Sequence, residues 1–105
     1  MTLEKIKRLE RYLAIEGSTV DPVLDLAIDK LLAREISRMQ ELKARLSAQL
    51  ATFEERYALT SADFYPRYEH SEMGDDMDFI EWAATVDMLG NVEKRLALLE
   101  RVPDS

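Results

Sequence analysis

The chain has 105 residues, of which 33% are charged and 47% hydrophobic, with a formal net charge of −7, no cysteine and one histidine. This length makes one domain at most, and the hydrophobic content excludes a disordered chain; without cysteine there is no disulfide framework, thiolate zinc site, iron–sulfur cluster or cysteine nucleophile, and the lone His70 excludes a histidine-rich metal site. The acidic balance argues against general nucleic-acid binding, which rests on clustered Lys and Arg, and no apolar run reaches the roughly 18 residues of a membrane span, so a cytoplasmic protein with a basic partner is expected.

Only three Gly and three Pro interrupt the chain, and no alternating strand pattern occurs, so few, long helices are predicted. From Thr2 to Glu16, Leu3, Ile6, Leu9, Tyr12 and Leu13 recur at three- and four-residue steps on one helical face. Gly17 is placed to end that helix in the left-handed conformation. A ribbon–helix–helix DNA reader would begin with a strand here; the step pattern favours a helix.

Asp21 followed by Pro22 is a good helix start, because Asp accepts from an unpaired N–H and Pro occupies a position that needs no donor. No Gly or Pro then appears before Pro66. Leu24, Ile28, Leu31, Glu35, Met39, Leu42, Leu46, Leu50, Phe53 and Tyr57 are spaced 4, 3, 4, 4, 3, 4, 4, 3, 4, an eleven-residue repeat with one polar position. Eleven residues over three turns lies just above the natural helical period, so the stripe stays straight or coils slightly right-handed. A seven-residue register fits worse, since it puts Asp25, Glu35, Gln49 and Arg56 in the seam. A helix over 22–57 is about 54 Å long, whereas a compact chain of this size has a radius of gyration of about 13 Å. Its stripe therefore needs cover along its whole length, from the first helix over the near half, the last helix over the far half, and a second copy of the chain.

Thr60 and Asp63 resemble a capping box that opens a short helix, which Pro66 is expected to disturb. Four of the eight Phe, Tyr and Trp residues lie between Tyr57 and Tyr68, which reads as a hydrophobic plug or, for Tyr65 and Tyr68, a partner-binding patch. Between Glu69 and Glu81 stand six acids with no Lys or Arg among them. Gly74 permits a turn, and Asp75, Asp76 and Asp78 suit a helix start facing the helix dipole. Three acids exceed what capping needs, and Glu72, Asp75, Asp76, Asp78 and Glu81 become the candidate docking surface for a basic partner. The spacing is not a calcium-loop pattern, and no metal or cofactor is expected. His70, Ser71 and Glu72 are adjacent without a nucleophile turn, so His70 reads as a loop histidine and catalysis is not expected.

From Met77 to Arg101, Phe79, Trp82, Val86, Leu89, Val92, Leu96 and Leu99 share a face with Ile80 and Ala83 beside them, and a helix there can return antiparallel along the long one. Gly90 weakens this helix and leaves room for a neighbouring backbone. Phe53, Tyr57, Phe64, Phe79 and Trp82 are the expected structural anchors. The fold predicted is all-α: one helical domain over 1–105, a long helical hairpin or coiled-coil-like bundle of three main helices, oligomeric. Its segments are a helix at 1–16, a helix of about 36 residues at 22–57, a short helix and acidic loop at 58–76, and a C-terminal helix at 77–101.

The combination Phe53-Glu54-x-x-Tyr57, Ser61-x-x-Phe64 and Met73-Gly74-Asp75-Asp76-x-Asp78-Phe79-Ile80-Glu81-Trp82 resembles a group of small prokaryotic helical proteins of the antitoxin type, from toxin–antitoxin pairs. The likeness covers roughly Asp21 to Leu99. Such relatives often carry Gly after the Tyr of the first motif; Ala58 stands there and implies a less abrupt helix end. Ser71 likewise occupies a place natural for a turn glycine. The resemblance implies a non-enzymatic interaction protein that neutralises a small basic toxin, with Asp75, Asp76, Asp78 and Glu81 as its acidic motif and Phe79 and Trp82 as anchors. The alternatives are a self-assembling helical scaffold, a dimer or higher, without a toxin partner, and a carboxylate metal-binding protein.

Overall fold

A computed structural model describes residues 2–16 and 22–100. The described chain is all-α, with four helices: α1 Thr2–Glu16, α2 Pro22–Tyr57, α3 Ser61–Glu69 and α4 Met77–Glu100. The proposed terminator Gly17, the cap at Asp21, and the chain end at Arg101 and Pro103 lie outside the described residues. Two compact units emerge, Met1–Ala33 and Arg34–Ser105, divided within α2.

The second unit is a hairpin. Its buried α2 residues are Leu46, Leu50 and Phe53, and those of α4 are Trp82, Ala83, Thr85, Val92 and Leu96. α4 runs antiparallel to α2: Tyr57 meets Phe79, Phe53 stacks on Trp82, and Leu46 packs with Val92 and Leu96. Leu46, Leu50, Phe53 and Tyr57 are the last four positions of the eleven-residue stripe, so that register faces the core here. Ile36, Met39 and Leu42 extend the packing toward the start of the unit. Glu35, the polar member of the stripe, is half-exposed and pairs with Arg38 at 2.9 Å.

An aromatic cluster closes the turn end. Trp82 and Phe64 are completely buried and stack in parallel with ring centroids 3.8 Å apart. Phe53 lies at 5.6 Å and Tyr57 at 5.8 Å from Trp82. Each such pair adds about 0.5–1.5 kcal/mol beyond its buried area. The indole N–H donates to Ser61 Oγ at 2.9 Å, so the buried ring leaves no unpaired donor.

Helix ends explain the turns. Thr60 caps α3 by accepting from the Asp63 N–H, as the capping pattern predicts. α2 stops sharply at Tyr57, contrary to the gradual end expected from Ala58. The Ala58 backbone adopts φ 51°, and the Leu59 N–H reaches back to the Glu54 carbonyl. Ser71 closes α3 in the same way at φ 58°, with Glu72 N–H bonded to the Arg67 carbonyl. These are the hydrogen bonds of a glycine-terminated helix made with non-glycine residues, because satisfying the last carbonyls outweighs the strain of one left-handed residue. Pro66 does not disturb α3, which continues through it to Glu69. The proline deprives only the Ala62 carbonyl of its usual donor, and Ala62 is exposed.

In the first unit none of the residues whose burial is described is buried, and Leu13, Leu24 and Ile28 are half-buried. Leu3, Ile6, Leu9 and Tyr12 are exposed, as are Leu26, Leu31 and Leu32. Of the stripe positions of α2 in this unit, Leu24 and Ile28 are thus only partly covered and Leu31 is exposed. An amphipathic pattern establishes that a face is apolar but not which surface meets it.

Candidate functional site

The acidic segment between α3 and α4 splits into carboxylates that hold the fold and carboxylates that do not. Asp76 begins α4: its Oδ1 accepts from the Asp78 N–H at 2.9 Å, and its carbonyl accepts from Phe79 and Ile80. Asp78 bridges the hairpin. Its Oδ2 accepts from Tyr57 Oη at 2.6 Å and from Arg56 Nη1 at 2.7 Å. The Tyr57 and Arg56 hydrogen bonds together hold the Asp78 carboxyl below its ordinary value. The same contact raises the Tyr57 hydroxyl, aided by partial burial, and raises Arg56. Glu54 fastens the separate turn between α2 and α3, accepting from the Ser61 N–H at 2.6 Å.

The carboxylates of Glu72, Asp75 and Glu81 are exposed, and no hydrogen bond or ion pair within the described chain engages them. They surround a well-held turn in which Gly74 takes φ 83°. Beside them Met77 is 67% and Ile80 45% exposed. Tyr68, Glu69, Ser71, Gly74, Asp75 and Ile80 line a shallow cavity of about 340 Å³. Tyr68 is half-buried and tilts against Phe64. Tyr68 and Asp75 are therefore brought together, whereas Tyr65 is not part of this surface. Its hydroxyl donates to Asp87 Oδ1 at 2.6 Å, and that bond, with desolvation second, pushes Tyr65 up to about 12.

Phe53, Phe64 and Trp82 are buried and Tyr57 and Phe79 half-buried in the aromatic cluster. His70 sits at the end of α3 with Nδ1 2.7 Å from the Pro66 carbonyl. A carbonyl only accepts, so that nitrogen carries the proton. Among the described residues no group of three or more His, Asp or Glu is placed to hold a metal ion, and no helix is long and apolar enough to cross a membrane.

Two participants escaped the sequence. Ile80 follows the apolar spacing of α4 yet emerges beside the acids, and Asp87 carries no local signal of its partnership with Tyr65, 22 residues away. Both depend on the register between α3 and α4, which neither helix encodes alone. No family model matches the chain, and neither a curated protein nor a solved structure matches it.

Proposed function

We propose that the chain is a non-enzymatic protein-interaction module of the antitoxin kind, which binds a small basic toxin protein and itself associates as a dimer or higher assembly. The observation that carries this reading is the division among the acids. Asp76 and Asp78 are used internally, while Glu72, Asp75 and Glu81 face outward next to exposed Met77 and Ile80. Unpaired like charges around an apolar spot suit a cationic amphipathic surface, whose Lys and Arg relieve the repulsion while its apolar residues cover Met77 and Ile80. The start of α4 that closes this segment is braced by Asp78 and the Trp82 stack, so binding needs little ordering there. The exposed α1 face favours self-association alongside.

The test is co-expression with the small protein encoded next to this one. A neighbour that arrests growth alone, is silenced by this chain and co-purifies with it supports the reading. The triple substitution Glu72→Gln, Asp75→Asn, Glu81→Gln is expected to abolish both effects while leaving the helical content unchanged. A harmless neighbour that forms no complex, or a complex indifferent to the triple substitution, overturns the acidic docking surface.

A further inference from the structure

Gly90 lies inside α4, between Met77 and Glu100, and nothing in the described protein requires a glycine there. It is not among the positive-φ residues. A Cβ built on it meets no atom within 4 Å, so no neighbouring element of the described chain approaches it. A glycine in a helix interior costs stability relative to alanine, and here that cost has no return within the folded chain. The explanation lies in what adjoins it.

Gly90 lines a groove of about 460 Å³ formed by α3 and α4 with Leu50 of α2. Val86, Leu89 and Leu50 are its apolar lining, and Tyr65 and Pro66 form part of the α3 wall. Glu93 is its one carboxylate, Pro66 has no N–H to give the Ala62 carbonyl, and the lining hydroxyls are engaged, Ser61 accepting from Trp82 and Tyr65 donating to Asp87, which brings a second carboxylate beside the groove. The groove therefore asks for an apolar helix face that brings cations and can approach the α4 backbone closely at Gly90.

The molecule carries such a face. α1 exposes Leu3, Ile6, Leu9 and Tyr12, each between 38% and 62% accessible. Lys5 and Arg8 follow the same steps along one edge of that stripe, four residues before Leu9 and Tyr12. Val86 to Glu93 covers about two helical turns, as does Leu3 to Leu9 within one residue, so the groove and the stripe agree in length.

We propose that the chain forms a dimer in which α1 of each copy lies in the α3–α4 groove of the other, its stripe of Leu3, Ile6 and Leu9 over Gly90 and its Lys5 and Arg8 toward Glu93 and Asp87. Unlike surfaces that join head to tail propagate into filaments unless the arrangement closes, and reciprocal exchange closes it with both grooves filled. This inference rests on the self-association part of the proposed function and is independent of the acidic turn.

Because the chain has no cysteine, two full-length variants, Leu9→Cys and Ala62→Cys, can be mixed under mild oxidation. The expected product is the mixed disulfide, in excess over either homodimer. A Leu9→Cys homodimer as the main product signifies α1–α1 pairing and overturns the proposal, as does the absence of any cross-link. By sedimentation equilibrium the unmodified protein is expected at twice the 12.1 kDa chain mass. Leu9→Glu, on the exposed α1 face, and Gly90→Leu, which fills the groove, are each expected to halve it. Helical content and Trp82 fluorescence verify that the variants fold, and Leu9→Glu lies away from the hairpin core should Gly90→Leu fail to. An unmodified protein that sediments as a monomer, or a dimer that tolerates Leu9→Glu, overturns the exchange. Toxin neutralisation by the Leu9→Glu variant would leave the acidic docking surface standing.

Discussion

Replacing Ala58 and Ser71 by glycine tests whether the two helix ends are strained. Both residues hold positive φ, 51° and 58°, and both are exposed. A left-handed conformation costs a non-glycine residue roughly 1–2 kcal/mol. Glycine relieves that cost but brings back roughly 0.5–1 kcal/mol of backbone entropy in the unfolded chain. Ala58→Gly and Ser71→Gly are each expected to stabilise by about 0.5–1 kcal/mol. They close different helices through separate hydrogen bonds, Leu59 to Glu54 and Glu72 to Arg67, so the gains should add. At roughly 4–8 °C per kcal/mol for a domain of this size, the double variant should melt visibly higher. Urea and thermal unfolding are followed by the fluorescence of Trp82, the chain's one tryptophan, which is completely buried. Gly74→Ala supplies the opposite sign, because Gly74 has φ 83° and free space for a Cβ, leaving backbone strain as the main penalty. Glycine variants that leave the midpoints unchanged, together with a neutral Gly74→Ala, would refute the strain argument.

Trp82→Ala removes the partner of three stacked rings and is expected to lose about 3–5 kcal/mol by far-ultraviolet circular dichroism in urea, whereas Ser61→Ala strands the buried indole N–H and loses about 1–3 kcal/mol. Asp78 is held below its ordinary value of 3.8, so its contribution is present above that pH and is lost as pH falls through the lower folded value. Acid titration of Asp78→Asn should accordingly show a shallower loss of stability over that range. Tyr65 has the reverse sign: its stabilisation is present below 10 and is lost as pH rises from there toward about 12, and Tyr65→Phe should flatten this alkaline limb. In the Leu9→Glu background, expected to be monomeric, Gly90→Ala should raise stability by up to about 1 kcal/mol in urea melts, since within the chain its Cβ meets nothing.

The helices were legible because their signals are local. The stripe from Met39 to Tyr57, the Thr60 cap and the apolar face of α4 each depend on residues three or four apart, the same spacing that the backbone repeats. The acidic site was only half legible. All of its carboxylates look alike in sequence, and their separation into Asp76 and Asp78 on one side and Glu72, Asp75 and Glu81 on the other follows from the position of Arg56 and Tyr57 across the hairpin. Thr85 is buried among the α4 core residues because its hydroxyl donates to the Glu81 carbonyl, a provision that hydrophobic periodicity does not register. Cover of the α2 stripe within the first unit is only partial, with Leu24 and Ile28 half-buried and Leu31 exposed, for a related reason: two apolar faces in one chain are complementary to many surfaces, and proximity along the chain does not choose between them.

The amino-acid sequence alone determined that the described residues are mainly helical, where three of the helices begin or end, and which apolar residues of the hairpin face its core, because backbone hydrogen bonding and side-chain periodicity act over a single turn. Tertiary structure decided which charges are consumed by the fold, that Ala58 and Ser71 bend the backbone as glycines would, and that Gly90 lines a groove with residues of α3. Those outcomes depend on how far one helix has slid along another, and that register is set by packing between residues twenty or more positions apart.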